Sequence, residues 1–159
     1  MFNRPGCPPE HKTFMGDCGS QFVGFVLAVM ALRLNAINPV ETPLAAWLIL
    51  FAPFLYDVLY TLVRRLSRRE NIFQAHRSHL YQRLLVAGWS HRQVLALNAV
   101  LYLGCFALAF AYALPWRGHS EAAVTATSLL CVLILTGLLG GYTLLVWMVE
   151  RASRRAMAD

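Results

Sequence analysis

Apolar residues along this chain come in long blocks, not in alternation, and four blocks are candidates to cross a bilayer core of about 30 Å. The first, Asp17 to Leu34, is the weakest: its strictly apolar part is short, so it needs the Gly-Ser entry and a snorkelling Arg33 to reach both faces. The second, Pro43 to Val63, is long enough although it contains Pro53 and Asp57. The third runs from Val94 to about Trp116, with Asn98 its only strongly polar interior residue. The fourth, Ala122 to Val149, carries no charge and exceeds what a span needs, so it is expected to tilt or protrude.

Local signals punctuate these blocks. Met1–Thr13, with Pro5, Gly6, Pro8 and Pro9, reads as loop. Asn35–Thr42 reads as a short turn, and Pro43 opens the second helix. Pro53 is expected to kink that helix and free a carbonyl one turn earlier. Arg64 to Glu70 continues the helix beyond the membrane, and Asn71-Ile72-Phe73 breaks it. Ser78 is the expected N-cap of a short amphipathic helix with Leu80, Leu84 and Leu85 on one side and Gly88 at its end. Ser90 caps the third span. The connection Pro115–Glu121 is short, so the third and fourth spans should be antiparallel neighbours. Gly137 and Gly141 form a small-xxx-small pair that predicts close packing with another helix.

Composition strengthens the membrane reading. The 159 residues are 58% apolar and 14% charged, too little charge to cover a soluble domain of this length. The expected fold class is all-α: a polytopic membrane helical bundle of about four transmembrane helices, one membrane domain over 1–159 with a cytoplasmic basic loop at 64–92. Residues 1–13 are polar and proline-rich, so no signal peptide is visible.

Charge then orients the bundle. Arg64, Arg65, Arg68, Arg69, Arg77, Arg83 and Arg92 cluster in that loop, Arg151, Arg154 and Arg155 lie in the tail, and the opposite connections hold only Arg33 and Arg117. The positive-inside rule therefore places the loop and both termini in the cytoplasm. A net charge of +6 arising largely there argues for anionic lipid or phosphate partners. It does not argue for nucleic acid, because no stacking aromatics interleave a basic groove. Cys105 and Cys131 read as small core residues, and Cys7, His11 and Cys18 lack the close Cys pair of a zinc site.

Two segments carry candidate chemistry. In Phe14-Met15-Gly16-Asp17-Cys18-Gly19-Ser20, a carboxylate lies between glycines at the mouth of the first span. Either Asp17 is a helix N-cap, or the glycines let backbone approach a phosphate-bearing ligand at a helix start. The second segment is Phe73-Gln74-Ala75-His76-Arg77-Ser78-His79-Leu80-Tyr81-Gln82-Arg83-Leu84. It either only fixes topology, or holds a diphosphate through arginine and histidine donors.

These two segments, with Asp57-x-x-x-Thr61-x-x-Arg64-Arg65 between them, resemble the polyprenyl-phosphate sugar-1-phosphate transferases of glycosyl transferase family 4, over Phe14 to about Trp89. The branch that begins O-antigen or related bacterial surface glycans is the most similar. The resemblance implies a multi-pass protein of the bacterial inner membrane, in surface-glycan or cell-wall biosynthesis. It would move a sugar-1-phosphate from a UDP-N-acetylhexosamine to undecaprenyl phosphate and release UMP. It implies Asp17 as a catalytic residue and ligand for magnesium, or manganese in its place, and His79 as a catalytic residue. Gly16, Ser20, His76, Arg77 and Arg83 are the implied substrate-binding residues. Asp57 is assigned a structural role beside Thr61, paired with an arginine.

Family members carry two further acidic elements, a paired Asp-Asp-x-x-Asp and an Asn-x-x-Asn-Phe-x-Asp-Gly. This chain has no adjacent aspartates, and its aspartates are Asp17, Asp57 and Asp159. The expectation is a C-terminal portion of such an enzyme, inactive alone and partnered by a missing N-terminal half. The other readings are a non-catalytic membrane scaffold or degenerate relative of that family, and a small transporter coupled through Asp57.

Overall fold

A computed structural model describes residues 16–39, 42–71, 78–114 and 121–156. They form five helices: α1 Gly16–Ile37, α2 Leu44–Ser67, α3 Leu80–Val86, α4 His91–Ala113 and α5 Glu121–Ala156. The all-helical expectation holds. Helices α2, α4 and α5 are long and apolar enough to cross a membrane, whereas α1 offers only a shorter apolar stretch, Gln21–Ile37. At about 1.5 Å per residue, α5 reaches roughly 54 Å and overruns a ~30 Å hydrocarbon core. It runs seven positions beyond Val149, carrying Arg151, Arg154 and Arg155 out of the apolar block.

The most extensive pairing is between α2 and α4; α5 packs on α3 and α4, and α1 meets the rest of the bundle at α2. One buried layer joins Leu80 and Leu84 of α3 to Val94 and Leu101 of α4 and to Tyr142 and Val146 of α5. The other layer joins Ile49 of α2, Leu108 and Ala109 of α4, and Cys131 of α5. The opposite faces stay apolar, with Val100, Leu103, Phe106 and Phe110 of α4 and Leu129, Val132 and Leu133 of α5 exposed. Such surfaces suit lipid, where apolar exposure carries no penalty.

A seven-residue helix is too short to persist alone, so α3 depends on packing and on its ends. Leu80 and Leu84 are fully buried. At the C-terminus Gly88 has φ +97°, its N–H donates to Leu85 O at 3.1 Å, and Trp89 N–H donates to Leu84 O at 3.0 Å. This is a Schellman ending, and it places Gly88 where the sequence predicts. Ser90 also caps α4 as predicted: its Oγ accepts from Gln93 N–H at 3.3 Å, while Gln93 Oε1 accepts from Ser90 N–H at 2.9 Å.

Three expectations need correction. The N-cap of α3 is His79, one residue later than Ser78. Helix α2 stops at Ser67, short of Glu70, because Arg69 enters the left-handed region at φ 56° and turns the chain. Its N–H donates to Leu66 O, and Glu70 N–H donates to Arg65 O, a second Schellman ending with arginine in the position glycine favours. Finally, Gly137 and Gly141 are exposed on α5, and nothing among the described residues lies within 4 Å of a Cβ added at either. The predicted close helix packing is therefore not made by the described part of this chain. Met1–Thr13 and Pro115–Ser120 lie outside the described residues.

The two positive-φ residues among those described, Arg69 and Gly88, give paired expectations. Gly88→Ala meets no neighbour within 4 Å, so its penalty is the left-handed backbone alone, about 1 kcal/mol. Arg69→Gly relieves the same strain and should stabilise by about 1 kcal/mol or less. Chemical denaturation of the detergent-solubilised protein measures both, and equal signs for the two variants would contradict the argument.

Candidate functional site

The site begins with one carboxylate inside an apolar helix. Asp57 stands on α2 one turn after Pro53 and one turn before Thr61. Its Oδ1 accepts the backbone N–H of Leu80 at 2.7 Å, and Thr61 Oγ1 lies at 3.5 Å. Leu80 is the first residue of α3, whose N–H has no partner within its own helix, so Asp57 supplies across the bundle what a local cap would otherwise supply. The other carboxylate oxygen, Oδ2, lies 3.3 Å from His79 Nδ1.

Asp57 and His79 therefore form a pair at the junction of α2 and α3. Both are mostly shielded, with side-chain exposures of 15% and 27%. The His79 ring stacks against Tyr81, with centroids 6.1 Å apart. They line a pocket of about 200 Å³ with Pro53, Phe54, Asn98, Tyr102 and Tyr142. Asn98 is anchored by its Nδ2 donating to Val94 O at 2.8 Å. A carboxylate facing Nδ1 of a histidine sets the orientation of its ring.

Arg83 sits elsewhere. It is buried, and its Nε and Nη2 donate to the two carboxylate oxygens of Glu150 on α5, each at 2.6 Å. The Glu150 carboxylate holds the Arg83 guanidinium above its ordinary pKa despite burial. Such a bidentate pair locks α3 to α5. Gly16, Asp17 and Ser20 open α1, and their description is that of the helix backbone. His76 and Arg77 lie outside the described residues.

Of the residues singled out from the sequence, the fold thus joins His79 with Asp57 and sets Arg83 apart with Glu150. The expected arginine partner of Asp57 is replaced by His79 and the Leu80 N–H. Arg65, which is buried, is turned instead toward Glu70 at 3.4 Å and the Asn71 carbonyl. Sequence reasoning missed Glu150, Asn98 and Tyr142 as site-forming residues. Glu150 is the acid immediately before the basic Arg151–Arg155 stretch and Asn98 the lone amide of its span, and those were the available signals.

Magnesium takes one or two protein carboxylates and completes its shell with water and substrate phosphate oxygens. Among the described residues no three His, Cys, Asp or Glu side chains gather to hold a metal. The Asp57 carboxylate is committed to Leu80 and His79, so the described site does not by itself fit a magnesium ion.

Comparison with known proteins places this geometry in context. No family model and no solved structure matches the chain. It is similar to the decaprenyl-phosphate N-acetylglucosaminephosphotransferase of Mycobacterium leprae, 32% identical over 141 residues covering 80% of this chain and 33% of that protein. The Mycobacterium tuberculosis protein of the same name is 33% identical, over 71% of this chain and 30% of its own length. The undecaprenyl-phosphate alpha-N-acetylglucosaminyl 1-phosphate transferase of Yersinia pestis is 28% identical, over 92% of this chain and 39% of its own. The chain thus spans about a third of the length of these curated relatives.

Proposed function

The chain is homologous to polyprenyl-phosphate N-acetylglucosamine-1-phosphate transferases over about a third of their length, and from that premise we propose that it is the C-terminal portion of such a transferase. The reaction is attack of an undecaprenyl-phosphate oxygen on the β-phosphorus of a UDP-N-acetylhexosamine. The new P–O bond carries the sugar-1-phosphate, and UMP leaves. The observation that carries this reading is 32% identity across 80% of the chain.

Two anions must meet in this reaction, so the site has to gather positive charge and hydrogen-bond donors. His79, oriented by Asp57, donates to a phosphate oxygen of the nucleotide sugar. His76 and Arg77, which precede it, supply further donors, and Gly16 and Ser20 let the start of α1 approach the diphosphate. Asp17 is the residue that would hold a magnesium ion, which would supply positive charge to the phosphates. Arg83 serves this site indirectly, by fixing α3 through Glu150 and so fixing the position of His79. The bundle lies in the bacterial inner membrane with both termini and the basic loop cytoplasmic, where UDP-sugars are available.

The test is lipid-linked sugar formation in cells depleted of their own initiating transferase and expressing this chain with or without the N-terminal half of a relative. Expected are product only with the complementing half, and loss of that product on Asp17→Asn. Product formation unaffected by Asp17→Asn would instead favour a scaffold that retains the fold without the chemistry.

A further inference from the structure

At the arginine-rich ends of α2 and α5 lies a second pocket, of about 440 Å³, which shares no lining residue with the Asp57–His79 pocket. We propose that this pocket is a binding site for a phosphate group, carried by an anionic phospholipid or by a soluble phosphate ester. The proposal does not depend on the transferase reading: of the lining residues only Arg83 and Glu150 enter that reading, and there only as supports of α3.

Two helical stripes build the walls. Tyr60, Arg64, Ser67 and Arg68 of α2 follow one another at four-, three- and one-residue steps, and Trp147, Glu150, Arg151 and Arg154 of α5 at three-, one- and three-residue steps. Each set occupies one face of its helix. Deeper in the bundle the two helices are tied by Tyr56 Oη and Thr143 Oγ1 at 2.7 Å, which fixes the stripes relative to one another. Arg83 of α3 completes the lining.

The charge balance of this cavity is one-sided. Among the lining residues Glu150 is the only carboxylate, and both its oxygens are engaged by Arg83. Arg64, Arg68, Arg151 and Arg154 add four more positive charges to the lining, and that same Glu150 carboxylate, already hydrogen-bonded to Arg83, is the one acid there to answer them all. Basic residues at helix C-termini do answer the helix dipole, but that effect does not require two helices to direct them into one cavity. Phosphate does, because guanidinium groups from several directions can each donate in pairs to its oxygens.

The aromatic lining argues for a ligand at the level of lipid headgroups. The Arg151 guanidinium stacks over the Trp147 ring, 3.5 Å from its centroid, which orients the donor plane. Tyr60 and Trp147 stand on the span side of Arg64 and Arg151, as aromatic residues do at membrane interfaces. Leu59, Leu144 and Met148, on the same stretches of α2 and α5, are exposed apolar surface for acyl chains.

The experiment uses the full chain in neutral detergent, titrated with phosphatidylglycerol in one arm and with inorganic phosphate or glycerol 1-phosphate in the other, read by tryptophan fluorescence and thermal shift. Arg68→Gln/Arg151→Gln/Arg154→Gln removes three exposed arginines from the site, and Arg33→Gln/Arg92→Gln/Arg155→Gln removes three exposed ones elsewhere. Each arginine near an anionic surface is worth about fivefold in affinity, so the site variant should bind about a hundredfold more weakly and the control close to normally. That pattern with phosphatidylglycerol alone identifies a lipid site. The same pattern with the soluble phosphates identifies a soluble phosphate ester. Equal weakening in both triple variants, or undiminished binding by the site variant, overturns the proposal. Should the triple variant not fold, Arg68→Gln and Arg154→Gln are compared singly with Arg155→Gln, and equal affinities among the three overturn it likewise.

Discussion

Glu150→Ala is expected to destabilise the protein by about 3 kcal/mol, more than any single apolar truncation at the bundle's exposed faces. Arg83 is only 8% exposed and directs two guanidinium N–H groups into the Glu150 carboxylate at 2.6 Å. Removing the carboxylate strands a positive charge in a partly desolvated position, and the penalty is mainly that stranding, not the loss of one attractive pair. Glu150 retains 18% side-chain exposure, so water can reach the vacancy, which keeps the expected loss at the low end of the range for buried pairs. Replacing both partners together, Arg83→Met with Glu150→Leu, should recover most of the loss, because no unpaired charge remains. Denaturant titration in detergent of the single and double variants measures the difference. A single-variant loss below about 1 kcal/mol would show that the pair behaves like a surface ion pair.

Much of the scaffold around that pair was legible because its signals are local. The apolar blocks, Gly88 at the end of α3 and the Ser90–Gln93 box at the start of α4 each depend on residues within a few positions. Helix α1 was legible even in its weakness, since a short apolar core surrounded by glycine and arginine reads as a marginal span. What could not be read is what arrives from another helix. At the α3 start, which shifts from Ser78 to His79, a local contact, Gln82 Oε1 accepting from His79 N–H at 3.4 Å, is joined by a distant one, since the acceptor for Leu80 N–H is Asp57, 23 positions earlier. Sequence marks Arg83 as a phosphate-binding residue, and its engagement by Glu150, 67 positions away, follows from no local rule. The Arg64–Arg154 cavity escaped notice for the same reason: each helix shows a basic end, and only their packing makes the ends converge.

The arginine partner expected for Asp57 shows how the same limit acts on a site. Arg64 and Arg65 lie seven and eight positions along α2, about two helical turns, and proximity in sequence favoured them. In the fold Arg65 turns to Glu70 and Asn71, Arg64 faces the cavity shared with α5, and His79 occupies the carboxylate. A residue read as structural therefore carries two tasks. It accepts the Leu80 N–H at the start of α3, and its second oxygen lies 3.3 Å from the ring of the histidine that the family resemblance marks as catalytic.

Under the proposed function, separating those two roles gives the largest expected effect on transfer by the complemented protein. His79→Ala should lower transfer by about a hundredfold or more, the usual scale for loss of a positioned donor or acid–base group. Asp57→Ala should lower it comparably, but through α3, since Leu80 N–H loses its acceptor and the helix start loosens. Asp57→Asn is the informative variant. Its amide oxygen can still accept from Leu80 N–H, so unfolding stability should stay within about 1 kcal/mol of the parent. The charge that orients His79 is gone, and transfer should fall by roughly tenfold or more. The fall should appear in kcat and leave KM for the nucleotide sugar nearly unchanged, because orientation acts on the reacting phosphate. Lipid-linked sugar formation in the complemented membranes described above, together with denaturation of each purified variant, reads both quantities. Normal transfer by Asp57→Asn with loss only in Asp57→Ala would make Asp57 a cap and nothing more. Normal transfer by His79→Ala as well would remove the pocket from the chemistry and leave the bundle as a scaffold.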